Sequence, residues 1–147
     1  MTLVKGAIAT IAIVALTACA GMMSGGKKVD VRLSGSEEVP PVATSASGSG
    51  SFTIGDDGSV SGSVTTTGVQ GTAAHIHQGP KGQNGPVIIP LTKSGDTYTV
   101  PAGAKLDDAQ MSAFKAGNLY VNVHSDQNKG GEVRAQLQPG ARAGYSY

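Results

Sequence analysis

Ala73-Ala74-His75-Ile76-His77-Gln78-Gly79-Pro80-Lys81-Gly82-Gln83-Asn84-Gly85-Pro86-Val87-Ile88-Ile89-Pro90-Leu91 is the stretch on which the fold turns. Its first third alternates in the manner of a strand, its middle is glycine and proline, and its end is a short apolar run. That order reads as strand, compact loop, strand. The stretch also holds two of the chain's three histidines, two residues apart. Side chains on a strand alternate between faces, so a strand over 72–78 presents His75 and His77 on the same side.

The third histidine ends a second strand-like run, Leu119-Tyr120-Val121-Asn122-Val123-His124. Leu119, Val121 and Val123 read as its core face, which leaves Tyr120, Asn122 and His124 on the other. Two such strands in one sheet bring all three imidazoles together. Neutral imidazole suits copper, zinc, nickel and iron, so His75, His77 and His124 are a candidate metal shell, with copper first and zinc as the alternative. Asp126, Glu132, Tyr120 and Asn122 are candidates for a further ligand or for orienting an imidazole from behind. The competing reading keeps the histidines as packing groups that brace the glycine/proline loop.

The rest of the chain also reads as short strands. Val29–Leu33 alternates, and the Pro40-Pro41 pair then breaks the pattern; Glu37 and Glu38 beside it read as a solvated loop. Gly48–Ile54 and Ser59–Thr67 form a hairpin around Gly55-Asp56-Asp57-Gly58, whose aspartates suit turn chemistry better than a calcium loop. Asp96–Val100 is a further strand. The single predicted helix, Leu106–Ala116, has Asp107 as N-cap, Gln110 in the reciprocal capping position and Gly117 to end it, and reads as a crossover between strands. Glu132–Leu137 is the last strand, with Val133, Ala135 and Leu137 inward, and the tail 139–147 reads as frayed.

Composition supports an all-β domain with a small core. There are 22 glycines, 2 phenylalanines and no tryptophan. A net charge of +1 leaves no basic field for nucleic acid, and no aromatic platform for stacking bases is evident. Neither a phosphate-binding loop nor a dinucleotide fingerprint occurs, and no thiol nucleophile remains if the one cysteine is modified.

That cysteine, Cys19, follows a basic start at Lys5 and an apolar run over Ala7–Leu16. Leu16-Thr17-Ala18-Cys19 resembles a bacterial lipobox, which implies cleavage before Cys19 and a lipid anchor on its thiol. Residues 1–18 are then the signal peptide, 19–28 the lipidated cysteine with a flexible linker, and 29–138 the domain. Ala20 after the cysteine implies outer-membrane attachment facing the periplasm. Met22 and Met23 read as linker residues rather than copper ligands.

Three segments carry a family resemblance: Leu33-Ser34-Gly35-Ser36-Glu37-Glu38-Val39-Pro40-Pro41, then 74–91, then Leu119–Leu137. In this order they resemble the CHRD domain, a module named from chordin and found widely in bacterial proteins. The resemblance implies a Greek-key, immunoglobulin-like or dismutase-like β-sandwich and says little of chemistry. His75-Ile76-His77 with the distant His124 also resembles the copper half-site of copper–zinc superoxide dismutase. Three histidines are too few for that enzyme's two-metal centre.

The sequence therefore predicts an envelope lipoprotein that binds copper for sequestration, delivery or tolerance rather than turnover. The alternatives are a metal-free protein-interaction or adhesion module at the envelope, and a copper redox enzyme. A protein partner, or a homodimer sharing one site, stays open.

Overall fold

The computed structural model describes residues 25–140, so Cys19, the lipobox, the two linker methionines and most of the tail lie outside the described residues. Nine strands and one helix make up the domain. In chain order these are β1 (Gly26–Ser34), β2 (Ser47–Gly55), β3 (Val60–Thr67), β4 (Gly71–Gln78), β5 (Val87–Pro90), β6 (Thr92–Ser94), β7 (Thr97–Thr99), α1 (Asp108–Lys115), β8 (Leu119–Ser125) and β9 (Val133–Leu137). Every pairing is antiparallel, and the strands form one sheet in the order β5-β4-β8-β9-β1-β2-β3-β7-β6.

The sheet folds on itself because its middle joint is thin. β1 and β9 share a single paired position, Ser34 with Arg134, whereas β1 and β2 pair along their whole length. The joint divides the sheet into halves, β5-β4-β8-β9 and β1-β2-β3-β7-β6, whose inner faces make the core. One half contributes Val29, Val31, Leu33, Phe52, Val64 and Tyr98; the other contributes Ala74, Ile76, Leu119, Val121, Val123, Val133 and Leu137. The two edge strands, β5 and β6, are consecutive in the chain, and Leu91 between them donates its N–H to Ala74 O of β4 at 2.9 Å. The sheet is thus nearly closed, an all-β sandwich close to a barrel.

Local chemistry explains the elements. The β2–β3 hairpin turns on Asp57, whose Oδ1 accepts from the backbone N–H of Ser59 at 3.0 Å and from its hydroxyl at 2.6 Å. The carboxylate is used by the turn itself. α1 carries the full capping box: Gln110 N–H donates to Asp107 Oδ1 at 2.8 Å, and Asp107 N–H donates to Gln110 Oε1 at 3.0 Å. It ends where Gly117 takes φ +76°, with Gly117 N–H on Phe114 O and Asn118 N–H on Ala113 O. The helix crosses from β7 to β8 and buries Phe114.

Three features depart from the sequence reading. β1 starts at Gly26, so Gly26-Lys27-Lys28 belongs to a strand rather than to a linker; Lys28 pairs with Thr53 across the ladder. β6 has no apolar alternation to announce it and forms because Thr92–Ser94 folds back on β7. The third change concerns Glu38. It is not in a solvated loop but 3 % exposed, at the end of the 3-10 turn Gly35–Glu37 with its carboxyl packed against Gly131.

Candidate metal centre

The register of β4 on β8 decides the site. His75 lies opposite Asn122, and His77 lies opposite Tyr120. His124, opposite Ala73, stands diagonal to His75. All these side chains leave the outer face of the half-sheet, because Ala74, Ile76, Val121 and Val123 occupy the inner one. The three imidazoles therefore converge, and one ligand nitrogen from each lies within 4.8 Å of the others. His75 Nδ1 and His124 Nε2 are 3.0 Å apart.

Backbone carbonyls fix two of the rings. His77 Nδ1–H donates to Gly85 O at 2.9 Å, and His124 Nδ1–H donates to Lys129 O at 2.8 Å. Each bond selects the tautomer that leaves Nε2 as a lone pair. His124 Nε2 faces His75, while His77 Nε2 is buried with no hydrogen-bond partner among the described residues. An imidazole whose far nitrogen is held by a carbonyl, with its near nitrogen free, is prepared to ligate a metal. Burial, with the nearby imidazoles, holds His75 below the usual histidine range. Burial also holds His77 low, against the bond to Gly85. Both favour the neutral, ligating form.

The outer face is only partly open to solvent. The loop between β4 and β5 folds back across β8 and β9, and one arginine fastens it. Arg134, predicted to point outward, is 1 % exposed. Its guanidinium donates to Gln83 O at 2.9 Å and to Pro80 O and Asn84 Oδ1 at 3.3 Å, and lies 3.4 Å from the centroid of Tyr120. From the other flanking strand, His77 stacks on the same tyrosine with centroids 4.7 Å apart and planes at 6°. Gly85 N–H then donates to Tyr120 Oη at 3.1 Å, and Gln136 donates to Gly79 O at 2.8 Å. The predicted bracing of the loop is real, but it uses Nδ1 of His77 and leaves Nε2 available.

Of the four supporting candidates, Tyr120 and Asn122 are brought to the imidazoles and both are 2 % exposed. Asp126 and Glu132 are not part of the cluster. Glu132 accepts from Thr44 Oγ1 at 2.8 Å, and with Asp126 it lines a separate pocket beside Gly68, Gln70 and Gln127. Sequence reasoning missed Arg134 and Glu38. The signal for Arg134 was its place in a strand between two core residues, beside a loop rich in unpaired carbonyls.

A CHRD domain family model matches residues 29–137, almost the whole of the described domain. No curated protein and no solved structure matches the chain.

Proposed function

Since the chain belongs to the CHRD domain family, whose fold leaves the chemistry open, we propose from the site itself that it binds one copper ion through His75, His77 and His124. The observation that carries the reading is His77 Nε2, a buried lone pair with no hydrogen-bond partner among the described residues, in a cluster with two further imidazoles. Three neutral nitrogens suit copper or zinc, and affinity for a nitrogen site rises to a maximum at Cu(II) in the divalent series. His75 and His124 are half-exposed, so an ion has a path from solvent. Binding for sequestration, delivery or tolerance fits this donor set. Together with the lipobox at Cys19, it suggests an envelope lipoprotein anchored to the outer membrane and facing the periplasm.

The test is titration of the full chain in detergent with Cu(II) and Zn(II), with bound metal counted by mass spectrometry. One tight equivalent is expected, lost in a His75→Ala/His77→Ala/His124→Ala variant that still unfolds cooperatively. Binding no tighter than in that variant would retire the metal reading. The partner-binding role would then be tested by capture with and without the imidazoles.

A further inference from the structure

Four buried side-chain atoms lack a hydrogen-bond partner among the described residues: Glu38 Oε1, His77 Nε2, Asn122 Oδ1 and Tyr98 Oη. Tyr98 sits in the other half-sheet, but the first three share one neighbourhood. Asn122 lies beside both the Glu38 carboxyl and the His77 ring, near enough to act on the charge of each, yet it closes a well-formed bond with neither. Its Nδ2 is used instead, donating to Gly130 O at 3.3 Å. All three residues are more than nine-tenths buried, with exposures of 3 %, 7 % and 2 % for Glu38, His77 and Asn122.

The chemistry of the three atoms is one-sided. With its Nδ1–H on Gly85 O, His77 offers a lone pair at Nε2, and so do Asn122 Oδ1 and an ionised Glu38 Oε1. Once Glu38 is ionised all three atoms are acceptors, a set that a cation or a molecule rich in O–H groups would satisfy. Glu38 is not among the groups whose ligand atoms cluster within 4.8 Å, so its carboxylate does not reach the imidazole centre directly. A water bound to the ion bridges such a gap, and a metal ion makes its water a stronger donor.

Building on the metal-binding reading above, we propose that Glu38 and Asn122 form the oxygen side of the imidazole centre. They hold the water that completes the coordination of a bound divalent ion. Glu38 also supplies compensating negative charge for an ion held by three neutral rings. Burial raises its pKa to about 7, against the pull of Arg134 and the Asn122 side chain, so it sits between acid and carboxylate where an incoming cation can ionise it.

The experiment loads the full chain with Cu(II) alone and compares the wild type with Glu38→Gln and Asn122→Ala. Paramagnetic resonance in H2O and D2O reads exchangeable protons on a copper-bound water, and chelator competition reads affinity. The wild type is expected to show strongly coupled exchangeable protons. Glu38→Gln, which keeps the shape and removes the charge, is expected to change that coupling and weaken binding about tenfold. Asn122→Ala should alter the same signal, which keeps the test alive if one variant folds poorly. One tight copper with identical spectra and affinity in all three proteins would overturn the role of Glu38 and leave the imidazole site standing. Wild-type binding no tighter than in His75→Ala would overturn both.

Discussion

His77 divides its two nitrogens between separate tasks, and the neighbouring residues show how sharply each position is defined. Nδ1 holds Gly85, the ring face holds Tyr120, and Nε2 is left without a partner among the described residues. Arg134 completes the stack, and its loss leaves Pro80 O and Gln83 O without their donor. Arg134→Met is therefore expected to destabilise the domain by about 3 kcal/mol, read from urea unfolding. Gly131 is as constrained. Its φ is +128°, and an added Cβ would collide with Glu38 Oε1 and Asn122 Nδ2. Gly131→Ala should cost at least about 2 kcal/mol in the same assay and perturb metal binding as well. An unchanged midpoint would contradict the packing of Glu38 under that turn.

Among the elements, α1 is the most self-contained. Its capping box was legible in the sequence because both partners lie within four residues, and it formed as read. Asp107→Ala should cost about 1 kcal/mol by thermal or urea unfolding while leaving metal affinity untouched, since the helix lies away from the imidazoles. The histidine strands were legible for a similar reason. Alternation assigns each side chain to a face, and it correctly put His75, His77 and His124 on one. What alternation does not encode is the material covering that face. Arg134 and Glu38 read as solvent residues because their burial depends on the loop Gly79–Pro86 over Arg134 and on the turn at Gly131 against Glu38, each from a distant part of the chain. Asp126 and Glu132 fall outside the imidazole cluster for the converse reason: nearness to His124 in sequence is lost as the chain leaves β8 for its turn.

Over the whole molecule, two buried titrations oppose each other. Glu38 has its pKa raised from 4.5 to about 7, so the folded form keeps a proton that the unfolded chain releases between those values. Its contribution is favourable below about 4.5 and is lost as pH rises through 7. His75 and His77 are depressed from 6.5, so their contribution is present above that value and is lost as pH falls. In metal-free protein the two trends offset one another through the weakly acidic range. Glu38→Gln removes one of them. Its stability should rise steadily from pH 5 to 7 and exceed the wild type at pH 8 by up to about 3 kcal/mol, read from urea unfolding in the presence of chelator. Equal pH profiles for the two proteins would show that Glu38 titrates normally.

The adjacency of β1 and β9, the first and last strands of the sheet, has a consequence in time. A chain that emerges N-terminus first exposes Gly26–Ser34 before the strand that must lie beside it is available. Until Val133–Leu137 emerges, β1 and β8 each keep a bare edge, and the thin joint at Ser34 and Arg134 cannot form. The pairings of β4 with β8 and of β1 with β9 join distant parts of the chain, so the sheet closes only when its last strand is present. His75 and His124, separated by 49 positions, then meet only in the closed sheet. If the site takes an ion as proposed, the complete three-imidazole set is offered only by the folded domain, so metal is expected to bind after the sheet closes rather than to seed it.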